Sequence, residues 1–446
     1  MVKLNNGNDR SGIRLVFRSL QYRNYRLFFG GQSLSLIGTW MQRIALPWLV
    51  YKMTGSAFLL GVVSFAGQIP TFLIAPFAGA LTDKWSRYRV LLATQSISMI
   101  QAFILAWLSL SGRIHIWHII ALSIVLGCVN AFDVPSRQSF VIDMVEKKED
   151  LGNAIALNSL MFNGARLVGP SLAGLLLVTA GEGICFLLNA ISYIFVLASL
   201  LAMKITYVKK EKPKVNLFSD MKDGLSYAFG FSPIKYIILL LAVVSLMGAS
   251  YQVLMPVFAK EVLHGGSHTY GFLMASAGFG ALISALFLAS RKSVIRLGRM
   301  VPAATSLFSV GLIVLSLTSF FISSVFLMII IGMGIMLQTA SSNTILQTIT
   351  DDDKRGRVMS LYAMAIMGTA PFGSLLAGFL AKTIGTPGAM LTGGLACLAG
   401  AMLFLKKLPA LKNTVRPVYV KMGIIPEVSP GMQIETAAPS QQTAVE

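Results

Sequence analysis

The chain has 446 residues, of which 55% are hydrophobic and only 12% charged, where an ordinary soluble domain carries about 25% charge. That composition excludes a soluble globular enzyme and indicates a protein threaded repeatedly through a membrane. The net charge of +19 sits between apolar runs, so it points to membrane topology and not to a nucleic-acid partner.

A polar, basic arm occupies residues 1–26. The first apolar run, Leu27 to Val50, is too long for a signal-peptide core and lacks a good cleavage site, so it reads as a retained span. Taking about 20 apolar residues per crossing, spans are predicted near 27–52, 57–81, 89–110, 116–135, 153–179 and 184–205. A second set lies near 234–258, 270–290, 300–320, 323–346, 358–382 and 387–405. The fold class predicted is therefore all-α, with twelve transmembrane helices in an N-terminal half (27–205) and a C-terminal half (234–405).

Between the halves, residues 206–233 read as a cytoplasmic linker. "YVKKEKPKVNLF" is charged and carries Pro213, while Leu217, Phe218, Met221, Leu225 and Phe229 are spaced as one face of an interfacial helix. The tail, 406–446, has no apolar span and reads as cytoplasmic and largely disordered. Thirty-one of the 37 Lys and Arg residues fall on the side that bears both termini, which predicts cytoplasmic N and C termini.

His115, His118, His264 and His268 all fall in or beside the opposite loops, and Cys128, Cys185 and Cys397 are scattered through apolar runs. Neither set has metal-ligand or disulfide spacing. No metal, no cofactor and no catalytic residues are expected, and the absence of a Walker A sequence argues against ATP-driven pumping by this chain.

The halves are internally related. "LGNAIALNSLMFNGARLVGPSLAGLL" (151–176) aligns without gaps on "RGRVMSLYAMAIMGTAPFGSLLAGFL" (355–380). Gly152 falls on Gly356, Leu157 on Leu361, Gly164 on Gly368, Gly169 on Gly373, and Ala173-Gly174 on Ala377-Gly378. A duplicated six-helix unit is the sequence mark of a transporter with a cavity between its halves.

After span 2 comes "GALTDKWSRYRVLL". Gly79, Leu81, Asp83, Lys84, Arg87 and Arg89 resemble the signature loop of the major facilitator superfamily, with Ser86 in place of a Gly and Tyr88 in place of a basic residue. Gly79 lets helices touch, and Asp83 can accept hydrogen bonds at a neighbouring helix N-terminus. The resemblance implies an inner gate in which Asp83 meets the start of span 11 and Arg87 pairs with Asp133, with Arg137 one turn beyond.

In span 5, "ARLVGPSLAG" resembles the superfamily's antiporter motif through Gly169, Pro170 and Gly174, which implies export. Small residues there suit a close crossing against span 8, where Gly271, Ser276, Gly278 and Gly280 stand. The Arg that exporters of the superfamily often carry four residues before a Gly in span 4 is absent: Ser123 precedes Gly127. Residues 15–405 are similar throughout to the branch that contains the enterobactin exporter and macrolide-efflux proteins.

Two guanidiniums are embedded. Arg166 lies about 14 residues into span 5, near the bilayer centre, and Arg43 lies in span 1 beside Gln42. An Arg there costs about 3 kcal/mol on insertion scales, so both are expected to face the bundle interior. An anionic or acceptor-rich substrate suits them; for Arg166, satisfying carbonyls freed by Pro170 or pairing with Asp133 is an equal alternative. Gln68, Asn130, Asn163, Gln338 and Asn343 are further candidates for the cavity lining, or for ties between helices. No acid is placed mid-span. Asp133, closest to it, is the candidate proton switch, with a gate-only role equally open.

The function these features imply is export of a small organic molecule (siderophore, macrolide-like drug or metabolite) by alternating access with proton antiport. The rivals are proton-coupled uptake of an organic anion and, more remotely, a non-transporting scaffold. The partners implied are a small-molecule substrate, the proton and the lipid bilayer, which the resemblance implies is a bacterial inner membrane, with the chain monomeric.

Overall fold

The computed structural model describes residues 17–82, 85–204, 225–291, 293–351, 354–422 and 424. A 3-10 turn, Arg18–Gln21, precedes α1 (Arg23–Thr54), α2 (Ala57–Thr82), α3 (Arg87–Leu110), α4 (Ile116–Asp143), α5 (Lys148–Thr179) and α6 (Gly181–Leu201). The second half holds α7 (Ser232–Val262), α8 (Ser267–Ala289), α9 (Leu297–Leu317) and α10 (Phe321–Ile349). A last helical run is interrupted at Gly385, whose φ of 77° no ordinary helix residue adopts, and Pro387 follows. It thus comprises two crossings, α11 (355–384) and α12 (386–421).

Ten of these stretches are long and apolar enough to cross a bilayer, the α11–α12 run being one of them. The remaining crossing, α1, is more polar because it carries Gln32, Gln42 and Arg43. Helices satisfy every backbone group internally, as a hydrocarbon solvent demands. Large apolar side chains such as Trp107, Trp117, Leu175, Leu201 and Phe326 stand outward and exposed, forming a surface for lipid.

In the N-terminal half α1 packs on α5 and α6, α2 on α4, and α3 on α4 and α6; in the other half α8 and α9 both pack on α10. The halves meet where α5 crosses α8 and where α2 crosses α11. These crossings are equivalent. A Cβ added to Gly271 on α8 would run into the Gly174 Cα and lie 2.9 Å from the Pro170 carbonyl oxygen. One added to Gly61 on α2 would lie 3.2 Å from the Gly378 Cα and 2.7 Å from the Ser374 carbonyl oxygen. Pro170 and Gly174 fall on Ser374 and Gly378 in the sequence repeat, so the repeat is expressed as a pseudo-twofold pair of backbone contacts.

The second half is less regular. α7 widens into π-helix at Val244–Gly248 and Phe258–Val262, and α11 does so at Met364–Gly368. The first and third of these lie side by side: Ser245 Oγ donates to the Ile366 carbonyl at 2.6 Å.

Two expectations change. The tail, predicted to be largely disordered over 406–446, is helical to Lys421, with Leu411 buried and Leu408, Val415 and Tyr419 packed on the C-terminal core. Those four apolar residues recur at helical spacing, a stripe short enough to be overlooked beside the lysines. Helix α4 extends eight residues past its predicted end, to Asp143, with Pro135 inside it. The linker's interfacial helix falls mostly outside the described residues, as do Asp83 and Lys84; Gly79 is seen only as part of the α2 backbone.

Candidate substrate chamber and gates

The centre of the N-terminal half is organised around one indole. Trp40 and Arg43 are three residues apart on α1, and Phe162 and Arg166 are four apart on α5, so each pair shares a helix face. Gly169 draws the two helices together: a Cβ there would collide with the Trp40 Cβ and sit 3.0 Å from the Ile37 carbonyl oxygen. The Arg43 guanidinium carbon lies 4.9 Å from the Trp40 ring centroid and that of Arg166 lies 5.8 Å from it. Phe162 meets the same ring edge-on at 5.7 Å.

Among the described residues, neither arginine has a carboxylate within ion-pair distance. Each cation–π contact contributes about 0.5–2 kcal/mol, which does not cover an insertion cost of about 3 kcal/mol together with the repulsion between like charges. Arg43 is exposed to solvent in mid-helix, and its charged neighbours are Arg137 and Arg166. A guanidinium set among interior groups yet exposed marks this place as the candidate chamber.

Pro170 has no N–H for the carbonyl four residues back, which is that of Arg166. Helix α8 approaches closely there: a Cβ on Gly278 would lie 2.8 Å from the Arg166 carbonyl oxygen. Gly280 serves a different contact, against Ile329 of α10, so it does not belong to the α5 crossing; Ser276 donates to the Phe272 carbonyl of its own helix.

Asp133 is buried on α4, ten residues before the helix ends. Its Oδ1 accepts hydrogen bonds from Gln95 Nε2 (2.6 Å) and Thr94 Oγ1 (3.0 Å) on α3, and its Oδ2 lies 3.4 Å from Arg137 Nε. The expected Arg87–Asp133 pair is not formed. Arg87 instead binds Asp143, at 3.0 and 3.1 Å, and the Ser139 carbonyl. Ten helical residues separate the two acids by about 15 Å, so only Asp143 is level with Arg87. Nor does Arg166 pair with Asp133, whose cation is Arg137. Arg89 is exposed on α3.

Several polar candidates prove to be ties between helices. Gln42 is buried; it donates to Gln101 Oε1 (3.3 Å) and accepts from Asn189 Nδ2 (2.7 Å), joining α1, α3 and α6 away from the chamber. Gln68 donates to Ser374 Oγ at 3.3 Å across the seam between the halves. Asn163 is buried and donates to the Ser159 carbonyl on its own helix. Asn343 accepts from Gln347. Asn130 is half-buried on α4, and Gln338 is buried on α10 with its Nε2 unpartnered.

The end of the bundle away from the termini holds a cross-half seam that no motif announced. Trp48 of α1 stacks on Tyr270 of α8 at 6.2 Å, and the Tyr51 hydroxyl donates to the Glu261 carboxylate of α7. Lys52, next in sequence, pairs with Glu182 of α6 at 3.0 Å. Trp40, Tyr51 and Glu261 were all missed by sequence reasoning. Only Trp40 carried a usable signal, an aromatic one helical turn before an embedded arginine.

Twelve crossings among the described residues and a twofold repeat of their packing are the architecture of a transporter of the major facilitator superfamily. Residues 16–421 match the family described as transmembrane secretion effector, and the chain belongs to it. It is similar to the staphyloferrin A transporter of Staphylococcus aureus, at 28% identity over 85% of this chain and 95% of that one. Macrolide efflux protein A of Streptococcus pyogenes is 22% identical over 82% and 92%. Among solved structures, a bacterial homologue of the human lysosomal transporter Spinster, inward-facing and unoccupied, shares the fold with a TM-score of 0.66, 14% identity, and coverage of 90% and 98%. The chain is a multi-pass membrane transporter and not an enzyme.

Proposed function

We propose that the chain exports a small organic molecule rich in acidic or acceptor oxygens, of siderophore, macrolide-like or metabolite type, through the Trp40–Arg43–Arg166 chamber by alternating access. The observation that carries this is the pair of guanidiniums on one indole with no carboxylate partner among the described residues. The direction draws on the Gly169-Pro170-Gly174 motif and on relatives named for macrolide and multidrug efflux. Both termini are cytoplasmic in this reading, on the strength of the Lys and Arg distribution. Arg43 is then open to solvent on the cytoplasmic side of a seam that Trp48 and Tyr51 hold closed, so substrate enters from the cytoplasm.

Asp133 is the proposed proton site, in a monomeric proton antiporter. A second reading, proton-coupled uptake of an organic anion, is favoured by the row Asp133–Arg137–Arg43. Protonating Asp133 leaves the guanidiniums uncompensated and strengthens anion binding, and mutual strengthening is the sign of coupling that cotransport requires. Loss of secretion and gain of drug sensitivity in a deletion strain, screened across siderophores and macrolides, identifies the substrate. Flux of that substrate is then measured in inverted and right-side-out vesicles with an imposed pH gradient. Accumulation in inverted vesicles driven by internal acid supports export by antiport; accumulation in right-side-out vesicles driven by external acid establishes uptake instead.

A further inference from the structure

Across the seam from Arg166 stands Tyr251, on α7. The ring is fully buried and held against Phe308 at 6.2 Å, yet the hydroxyl makes no hydrogen bond of good geometry beyond a loose approach of the Gln252 side chain. A buried hydroxyl left unpaired is unfavourable, and such orphaned groups in native proteins call for an explanation. Gln338, Ser341 and Ser342 on α10 also carry orphaned atoms. What sets Tyr251 apart is its place: the Tyr251–Val257 stretch packs against α1, the helix whose Trp40 carries Arg166, so the phenol comes within electrostatic reach of that guanidinium from the other half. Its position is fixed from below, since the π-helical Val244–Gly248 segment is locked to α11 by Ser245 and the Ser250 hydroxyl donates to the Leu246 carbonyl.

We infer that Tyr251 is a specificity-determining residue of the C-terminal half: its O–H and the Arg166 guanidinium together hold one oxyanion of the substrate, a carboxylate or phenolate, across the seam. Both groups present donors, and a guanidinium has no acceptor to offer; an oxyanion between them satisfies both. Trp40 and Phe162 provide flat apolar walls beside Arg166, so the substrate class is an acid with a planar or apolar body. Because one oxyanion touches both halves, loading the site ties them together at mid-bundle, and a neutral isostere cannot. This assignment rests on the chamber proposed above being the transport site.

The test uses full-length protein in detergent and two probes, 2,3-dihydroxybenzoate and its neutral amide, 2,3-dihydroxybenzamide, with apparent affinities taken from ligand-induced thermal stabilisation. Wild type should prefer the acid. Tyr251→Phe, which keeps the ring, should weaken the acid about tenfold or more, the loss of one hydrogen bond to a charged acceptor, and leave the amide unchanged. Arg166→Gln should remove the preference. Equal acid affinity in wild type and Tyr251→Phe overturns the inference, as does a wild type that prefers neither probe or binds neither. Directional flux in vesicles is scored separately. Export that persists in Tyr251→Phe discards this assignment and leaves the exporter standing, whereas a wild type without export removes the exporter reading whatever Tyr251 does.

Discussion

Arg43 and Arg166 differ from the other interior charges in what their removal leaves behind. Each rests on Trp40 without a carboxylate partner among the described residues, so substitution by Gln orphans no acid and removes an uncompensated charge. Arg43→Gln and Arg166→Gln should therefore keep or raise the melting temperature while vesicle flux falls at least about tenfold, through loss of charge-assisted hydrogen bonds to substrate. Asp133→Ala should behave in the opposite way. It strands Arg137, Gln95 and Thr94 and should cost about 3–5 kcal/mol, read as lost detergent stability. Outside the membrane, Asp150 gathers Arg18 at 2.8 Å, Tyr22 at 2.6 Å and Gln21 at 3.1 Å, clamping the arm to the start of α5. The hydrogen bond to Asp150 raises the Tyr22 phenol above its ordinary value of 10. A raised folded value means that this contact is complete below pH 10 and is lost as pH climbs through the folded value. An absorbance titration of tyrosinate should lose one component ionising above pH 10 in Tyr22→Phe.

The interior glycines divide by what they touch. Gly271 and Gly61 admit the facing backbone at the two crossings between the halves, while Gly152 and Gly356, an aligned pair, have open space where a Cβ would go. Gly271→Val should force α5 and α8 apart, costing about 1–3 kcal/mol and abolishing flux. Gly152→Ala and Gly356→Ala should be neutral or stabilise by up to about 1 kcal/mol, since Ala is the better helix former. Paired thermal melts of the three variants check this, and a destabilised Gly152→Ala would show that the open space is misjudged. The same distinction explains why the repeat was legible and its meaning was not: sequence identity counts every aligned glycine alike, whereas only Gly169, Gly174, Gly373 and Gly378 do equivalent work. Gly169 admits α1 and Gly373 admits α7, the first helix of each half.

For the whole molecule, the proposed cycle requires the seam that joins α1 to α7 and α8 to open. Tyr51→Cys combined with Glu261→Cys replaces the latch with a pair that a bifunctional thiol reagent can bridge across the halves. Crosslinking should stop vesicle flux and reduction should restore it, with the uncrosslinked double variant still active. Flux that survives crosslinking excludes rocking about the chamber. The contacts that seal this end, Trp48 on Tyr270 and Tyr51 on Glu261, bring together residues more than 200 positions apart.

Solvent and duplication impose the part of the molecule that is legible along the chain. Hydrocarbon demands long apolar helices, so the twelve crossings could be read from composition along the chain. A duplicated unit must pack through equivalent small residues, so the constant offset between 151–176 and 355–380 announced the twofold pair of crossings. What only the tertiary structure decided is partner choice. Whether Arg87 takes Asp143 or Asp133, whether Gln42 faces the chamber or ties three helices, and which ring sits between Arg43 and Arg166 depend on side-chain depth and azimuth on separate helices. Ten residues of helix displace an acid by about 15 Å, and single residues rotate it by 100°; spacing along one chain does not encode how a second helix is set against the first.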